Sequence, residues 1–195
     1  MKPLMLKLPP YLLGPSGGSI GVSRELVLNL VNVCIRSGVD AITISNTKPT
    51  LDARISTGVG GLSGRAVFSD TSNMVRDIRN EVGQRLTINA CGGISTGEGA
   101  WEVLKSGADT LQLYTSLIYR GPSVVQKINK DLVGILDRER VESLESFFLA
   151  GRSPFLPRVI NLSTKGLNSF AFGRVVLICS CLIKAMAILD SKAFL

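Results

Sequence analysis

Two adjacent glycines, Gly92 and Gly93, end an apolar run and stand directly before a segment with the pattern of a capped helix. Because glycine has no Cβ atom, the backbone at such a position can approach a ligand closely. The first N–H groups of the helix and its positive end attract an anion. This spacing indicates a phosphate site, although two glycines before a helix also form ordinary turns.

A second group that could bind the same anion is Tyr114-Thr115-Ser116, which follows the next apolar run. Barrel enzymes often bind phosphate in the loops after their last two strands, and these two runs are the last strands that we predict. The hydroxyl and backbone groups would complete a phosphate site together with the glycine pair. The alternative is that Thr115 and Ser116 only cap the following helix.

Three further groups are candidates for ligand contact. Lys7 lies inside an apolar run, where it either offers a fixed positive charge to an electron-rich ring or belongs to a frayed first strand. Asn46-Thr47 suits a carboxylate or an imide, or forms a turn. The glycine-rich stretch 60–64 lacks the lysine and spacing of a nucleotide triphosphate loop. It is therefore either flexible or wraps a planar cofactor through its backbone.

Residue types that are absent exclude several kinds of chemistry. The chain has no histidine, which removes histidine bases, triads and metal sites. The four cysteines, Cys34, Cys91, Cys179 and Cys181, make no Cys-x-x-Cys pair, and we interpret them as reduced and mostly buried. We predict no metal site.

Charge and hydropathy exclude two further classes. The net charge is +7, but the first 149 residues hold 16 basic and 14 acidic residues, so most of the excess lies beyond them. Aromatic residues do not alternate with a basic stripe, which argues against nucleic-acid binding. Prolines interrupt the first 15 residues before a secretory signal develops, and the apolar run 175–183 is too short to span a bilayer. We therefore expect no targeting segment and no membrane anchor in this sequence.

The elements that must position these groups repeat one pattern, in which a short apolar strand, a polar or glycine-rich turn and an amphipathic helix follow one another. The strands are predicted at 4–8, 40–45, 85–91 and 110–114, the helices at 23–38, 70–82, 95–105 and 122–138, and a glycine-rich loop at 56–68. Ser23 is the predicted N-cap of the first helix, and Ser95 with Glu98 forms a predicted capping box. The alternation predicts an α/β fold with a parallel sheet whose strands are covered on both faces.

Four such units make half of an eight-stranded barrel. They occupy residues 1–145, and residues 146–195 form a basic, apolar tail that shows no matching unit and in which only 174–189 could be helical. A half-barrel leaves two open sheet edges and an apolar interior, which favours aggregation unless something covers them.

Several stretches, in this order, resemble the carboxyl-terminal half of the dihydroorotate dehydrogenase family. They are LMLKL, ITISNT, GGLSG, INACGGISTGEGAWEVLKSGA and LQLYTSLIYRGP. GGLSG and QLYT are similar to class 2, the quinone-dependent and membrane-associated class. The resemblance implies an FMN flavoprotein with a TIM-barrel fold that oxidises dihydroorotate to orotate in pyrimidine (UMP) biosynthesis. The tail resembles no part of the family.

The resemblance also implies roles for individual residues. The cofactor-binding residues would be Lys7, Ser45, Ser63, Gly64, Gly92, Gly93, Tyr114 and Thr115, and the substrate-binding residues Asn46 and Thr47. No residue of this sequence takes the role of the catalytic base, which in the family lies in the first half of the barrel. Asn89 stands where the family usually has an apolar strand residue.

Three functions follow as alternatives. The chain is a truncated form of the oxidoreductase that lacks its base and needs a partner half-barrel or a homo-oligomer, with dihydroorotate and quinone as its ligands. It is otherwise a non-catalytic flavin-binding or interaction protein, or another FMN- or phosphate-binding barrel oxidoreductase. By resemblance the location is the mitochondrial inner membrane, or a bacterial membrane if the source is prokaryotic.

Overall fold

The computed structural model of the protein describes residues 3–11 and 22–150, in which strands and helices alternate. The strands are β1 (Met5–Lys7), β2 (Ala41–Ile44), β3 (Lys48–Leu51), β4 (Val59–Leu62), β5 (Thr87–Cys91) and β6 (Thr110–Gln112). The helices are α1 (Arg24–Arg36), α2 (Phe68–Val82), α3 (Gly97–Lys105), α4 (Thr115–Arg120), α5 (Ser123–Arg138) and α6 (Leu144–Ala150), and a 3-10 helix (Gly64–Val67) precedes α2. The helix expected at 174–189 and Cys179 and Cys181 lie outside the described residues.

Four strands form one parallel sheet in the order β1-β2-β5-β6. The register pairs Lys7 with Thr43, Thr43 with Asn89, and Asn89 with Thr110. Parallel neighbours joined through helices are the repeating unit of a TIM barrel, and four strands are half of its eight. The predicted α/β half-barrel is therefore confirmed.

The glycine-rich loop predicted at 56–68 is wrong in part, because β3 and β4 form an antiparallel hairpin across it. Pro49 and Gly61 pair in this two-stranded ribbon, where each strand has a free edge that tolerates proline. A Cβ atom at Gly61 would lie 2.3 Å from Oγ1 of Thr47. Lys48 Nζ donates to Oδ2 of Asp70 over 2.8 Å and ties the hairpin to α2.

The caps of the first helix and the third helix differ in how well they were predicted. Ser23 caps α1 as predicted, since its Oγ accepts from the Leu26 N–H over 3.2 Å. The capping box at Ser95 is wrong by one residue: Thr96 Oγ1 accepts from the Gly99 N–H over 3.1 Å. Residues Thr115–Arg120, which lie outside the four predicted helices, form the short helix α4.

The helices pack on one face of the sheet, where Ile42, Ile88 and Leu111 are fully buried. At α1 the stripe through Val27 and Val31 is buried. A second apolar stripe on the same helix remains exposed and consists of Leu26, Leu30 and Val33. The expectation that every strand is covered on both faces is wrong for β1, whose residues are all exposed. Its outer edge pairs with no other strand in the described part of the chain.

The opposite face of the sheet is polar, so the expected apolar interior is wrong. Thr43 and Asn89 are 3% and 1% exposed. Asn89 Nδ2 donates to Thr43 Oγ1 and to Gln112 Oε1, each over 3.1 Å, and Thr110 Oγ1 donates to Asn89 Oδ1 over 2.9 Å. A buried amide of this kind requires such partners. The network ties β2, β5 and β6 together across the sheet.

Residues 144–150 form α6, which runs across the expected boundary at residue 145. Leu144 and Phe148 are buried in the same core as the helix-facing strand residues. Phe147 lies 4.7 Å from the ring of Trp101 between centroids. The packed part of the chain therefore extends at least to Phe148. None of the described helices is long and apolar enough to cross a bilayer.

Arg79 connects the segments at the amino-terminal ends of the strands. Its guanidinium donates to the carbonyls of Gly107 (2.8 Å), Leu86 (3.1 Å) and Gly83, and it forms an ion pair with Asp109. Asp109 also accepts from the Ile88 N–H over 2.7 Å. The Arg79 and Asp109 side chains are only 10% and 18% exposed, so the two charges compensate each other in a largely desolvated position.

We predict that Arg79→Ala lowers the free energy of unfolding by about 3–5 kcal/mol, because the substitution leaves the Asp109 carboxylate buried without its cation. Urea denaturation followed by circular dichroism measures the loss. Arg76→Ala is the matched control, since exposed Arg76 on the same helix donates to Ser106 over 3.2 Å and should cost less than about 1 kcal/mol. Equal losses in the two variants would contradict the prediction.

Candidate functional site

The predicted site residues meet at the carboxyl-terminal edge of the sheet. Lys7 ends β1, Ser45 follows β2, Gly92 follows β5 and Tyr114 lies two residues beyond β6. In parallel α/β folds this edge carries the binding site, because all loops that follow the strands emerge there. The topology therefore brings these four positions to one end of the half-barrel.

The glycine pair lies against the start of α2. Gly93 has φ +72°, and a Cβ atom there would lie 2.7 Å from Cα of Phe68. Gly92 has φ +148°, and its Cβ would lie 2.3 Å from Oγ1 of Thr71. Neither the backbone angles nor the space admits a side chain. Both glycines are therefore required for packing, because they allow the loop after β5 to contact α2.

A second close approach joins the loops after β4 and β6. Gly64 has φ +75°, and a Cβ atom there would lie 3.0 Å from Cγ2 of Thr115. Thr115 Oγ1 lies 3.4 Å from Oγ of Ser63. Two of the segments that the sequence singled out, 63–64 and 114–115, are therefore in direct contact.

The two close approaches lie at opposite ends of the same short turn. Gly64 begins the 3-10 helix that touches Thr115, and Phe68 immediately after it touches Gly93. At a rise of about 2 Å per residue these ends are only about 8 Å apart. Gly93 and Thr115 thus contact opposite ends of the same 3-10 helix.

The meeting loops leave hydrogen-bond donors without partners. Among the described residues, the N–H groups of Gly93 and Thr115 have no acceptor, and buried Oγ of Ser116 has no partner. A phosphate group presents several oxygens that accept from such donors. The residues present fit the phosphate end of a cofactor.

The segment after β2 presents its two predicted substrate-binding residues to solvent. Ser45 is buried; its N–H donates to the Cys91 carbonyl over 3.0 Å and its Oγ to the Asn46 carbonyl over 3.1 Å. Asn46 Oδ1 accepts from the Thr47 N–H over 3.0 Å, and both side chains are exposed. Backbone hydrogen bonds fix the position of this segment, and the exposed side chains of Asn46 and Thr47 are accessible to a polar ligand.

Lys7 reaches across β2 towards β5. Its Nζ lies 3.9 Å from Sγ of Cys91, the residue directly before the glycine pair. Burial raises the pKa of the Cys91 thiol, and the nearby Lys7 charge acts in the opposite direction. The ammonium group is thus placed next to the strand ends, where it can face an electron-rich ligand.

Sequence reasoning missed several residues that shape the site, including Phe68, Thr71, Asp70 and Arg120. Arg120 Nη1 donates to the Ser95 carbonyl over 2.7 Å. The arginine just before Gly121-Pro122 was the available signal, because basic residues favour the last turn of a helix. Two surface cavities of about 410 and 520 Å³ are lined by other residues, including Arg85 and Lys105, and do not enclose this site.

Comparison with known proteins identifies what the chain is similar to. Residues 1–136 match the family model described as dihydroorotate dehydrogenase. The protein named dihydroorotate dehydrogenase (quinone) of Nautilia profundicola is 31% identical over 71% of this chain and 36% of its own length. The protein of the same name from Haloarcula marismortui is 35% identical over 73% of this chain and 39% of its own length. The protein named dihydroorotate dehydrogenase (quinone), mitochondrial, of Arabidopsis thaliana is 32% identical over 73% of the chain and 30% of its own length.

A solved structure extends the similarity to the fold. The crystal structure of ligand-free type DHODH from Eimeria tenella superposes with a TM-score of 0.59 and 28% identity, covering 68% of this chain and 38% of that one. The chain thus spans between 30% and 39% of the length of these relatives.

We predict that Gly93→Ala destabilises the protein more than Gly38→Ala. Both glycines have a positive φ, +72° and +70°, so each alanine costs about 1–2 kcal/mol of backbone strain. Gly38 has no atom within 4 Å of a new Cβ, whereas Gly93 has the Phe68 backbone, which adds about 1–3 kcal/mol. Urea denaturation of both variants measures the difference, and equal midpoints would show that Gly93 is not a point of close approach.

Proposed function

Since the chain belongs to the dihydroorotate dehydrogenase family, we propose that it supplies the FMN-phosphate half of a quinone-dependent dihydroorotate dehydrogenase. One observation carries the proposal: the loops after β4, β5 and β6 converge through Gly64–Thr115 and Gly93–Phe68, where the N–H groups of Gly93 and Thr115 have no acceptor among the described residues. This arrangement suits a terminal phosphate at the place where a parallel barrel binds one.

Each predicted residue then has a proposed role. The backbones of Gly64, Gly92, Gly93, Tyr114 and Thr115, with the Ser63 hydroxyl, hold the phosphate and ribityl end of FMN. Ser45 and Lys7 lie against the ring, where the ammonium group stabilises added negative charge. Asn46 and Thr47 orient dihydroorotate through its polar groups. When bound, FMN supplies hydride acceptance for the oxidation of dihydroorotate to orotate in pyrimidine biosynthesis, with quinone as the final acceptor.

The proposed roles do not include a general base. The chain has no histidine, and the ionisable groups that the structure places beside the glycine pair are Lys7 and Cys91, the first a cation and the second a thiol of raised pKa. We place the base on the part of the relatives' length that this chain does not span. Without such a group catalysis falls by about 10²–10⁴, so we expect little turnover from this chain alone.

We further propose that the open edge at β1 receives a complementary half-barrel. Leu4 and Leu6 are 55% and 43% exposed there, and the stripe with Leu26 and Leu30 on α1 is 51% and 39% exposed. An unpaired, apolar strand edge pairs readily with another chain. A second copy of this chain is the alternative occupant. In this arrangement residues 1–145 form the barrel half, α6 continues its packed core at least to Phe148, and the rest of the chain to residue 195 is the tail.

A non-catalytic flavin-binding role is the second candidate, and the missing base favours it. Location follows the relatives in either case. Those from Arabidopsis thaliana and Oryza sativa are named mitochondrial, and we propose association with the mitochondrial inner membrane, or with the cell membrane in a prokaryote.

We predict that the purified chain binds FMN by itself but oxidises dihydroorotate only when the complementary half is supplied. Quenching of flavin fluorescence measures binding, and a dihydroorotate–quinone assay with and without the co-expressed amino-terminal half of a relative measures turnover. Lys7→Ala should reduce the reconstituted turnover more than Lys127→Ala, because Lys127 lies exposed on α5.

Absence of FMN binding would overturn the proposed function. Binding without turnover in the reconstituted pair would favour the non-catalytic role. Turnover by the chain alone would show that its own residues include a base.

A further inference from the structure

Arg120 links two segments of the proposed phosphate site. It is the last residue of α4, the helix that begins at Thr115, and its Nη1 donates to the Ser95 carbonyl over 2.7 Å. Ser95 lies two residues beyond Gly93 in the loop after β5. One side chain therefore joins the loop of the glycine pair to the element that carries Thr115.

The Arg120–Ser95 hydrogen bond is the main polar contact between these two segments in the described part of the chain. In the part of the chain that the structure describes, no other hydrogen bond joins residues 92–95 to α4. Glycine gives this loop a wide choice of backbone conformations, and its contacts with Phe68 and Thr71 hold it against α2 but not against α4. A phosphate that is held by both segments requires one fixed spacing between them.

The charge of Arg120 is also available. A guanidinium is always protonated and has five N–H donors. Arg120 is exposed, and within the described residues no carboxylate forms an ion pair with it. Arg138 offers a useful contrast: it ends α5 in the same way, but it lies 3.9 Å from the Glu98 carboxylate.

We propose that Arg120 is a positioning residue for the cofactor phosphate, fixing the spacing between the Gly92–Ser95 loop and α4 and adding an uncompensated positive charge beside it. This inference rests on the proposed function, because it assumes that the converging loops hold the phosphate of FMN. It concerns affinity for the phosphate and leaves the contacts of the ring unchanged.

The test compares FMN with riboflavin, which has the same ring and no phosphate, by fluorescence titration of the purified full chain. Arg120→Ala should weaken FMN binding about tenfold, as expected for the loss of a charge-assisted interaction, and leave riboflavin binding unchanged. Arg120→Lys should recover part of the loss, because it retains the charge and one donor. Arg138→Ala is the matched control, and its FMN and riboflavin affinities should equal those of the unmodified chain.

The outcomes separate the two proposals. An unmodified chain that does not prefer FMN to riboflavin overturns the proposed function and this inference together. A preference that survives in Arg120→Ala overturns the inference alone. A variant that loses both ligands equally shows a general structural role and also overturns it, and circular dichroism of each variant confirms that the fold is retained.

Discussion

Close approach of glycine backbone to neighbouring segments at the carboxyl ends of the strands is the constraint on which the candidate site depends. Gly93 lies against the first residue of α2, and Gly64 lies against Thr115, with one short 3-10 helix between the two contacts. A Cβ atom at either glycine would push these segments apart. The glycines therefore allow the loops after β4, β5 and β6 to converge at this edge of the sheet.

The two ends of the half-barrel are built by different interactions. At the amino-terminal ends of the strands, the Arg79–Asp109 pair and its carbonyl acceptors join the helix termini and support the fold. Between the ends, Asn89 and its three partners replace the apolar layers usual inside such barrels. The Asn89 amide thus has partners for both its donor and its acceptor within the sheet, and the network links β2, β5 and β6 directly.

Strong periodicity made the parallel strands and long helices predictable, and a short polar residue before an apolar helix correctly indicated Ser23. The N-cap of α3, the β3–β4 hairpin and the exposure of β1 could not be predicted from local sequence. Ser95 and Thr96 are both suitable N-cap residues. The Ser95 carbonyl accepts a hydrogen bond from Arg120, and the helix is capped by Thr96. The β3–β4 hairpin was not predicted because adjacent glycines such as Gly60 and Gly61 are typical of loops. The close contacts of their backbone with Ile55 and Thr47 are seen only in the three-dimensional structure. The exposure of β1 follows from its position at the edge of the sheet, and the apolar pattern of a strand does not show whether it lies at an edge.

The β3–β4 hairpin starts directly after Thr47 and ends directly before Ser63. Its antiparallel pairing, closed by Lys48 opposite Leu62, holds those two residues side by side although 15 residues separate them in the chain. A displacement of this ribbon would therefore move the proposed substrate contact at Thr47 and the proposed cofactor contact at Ser63 together.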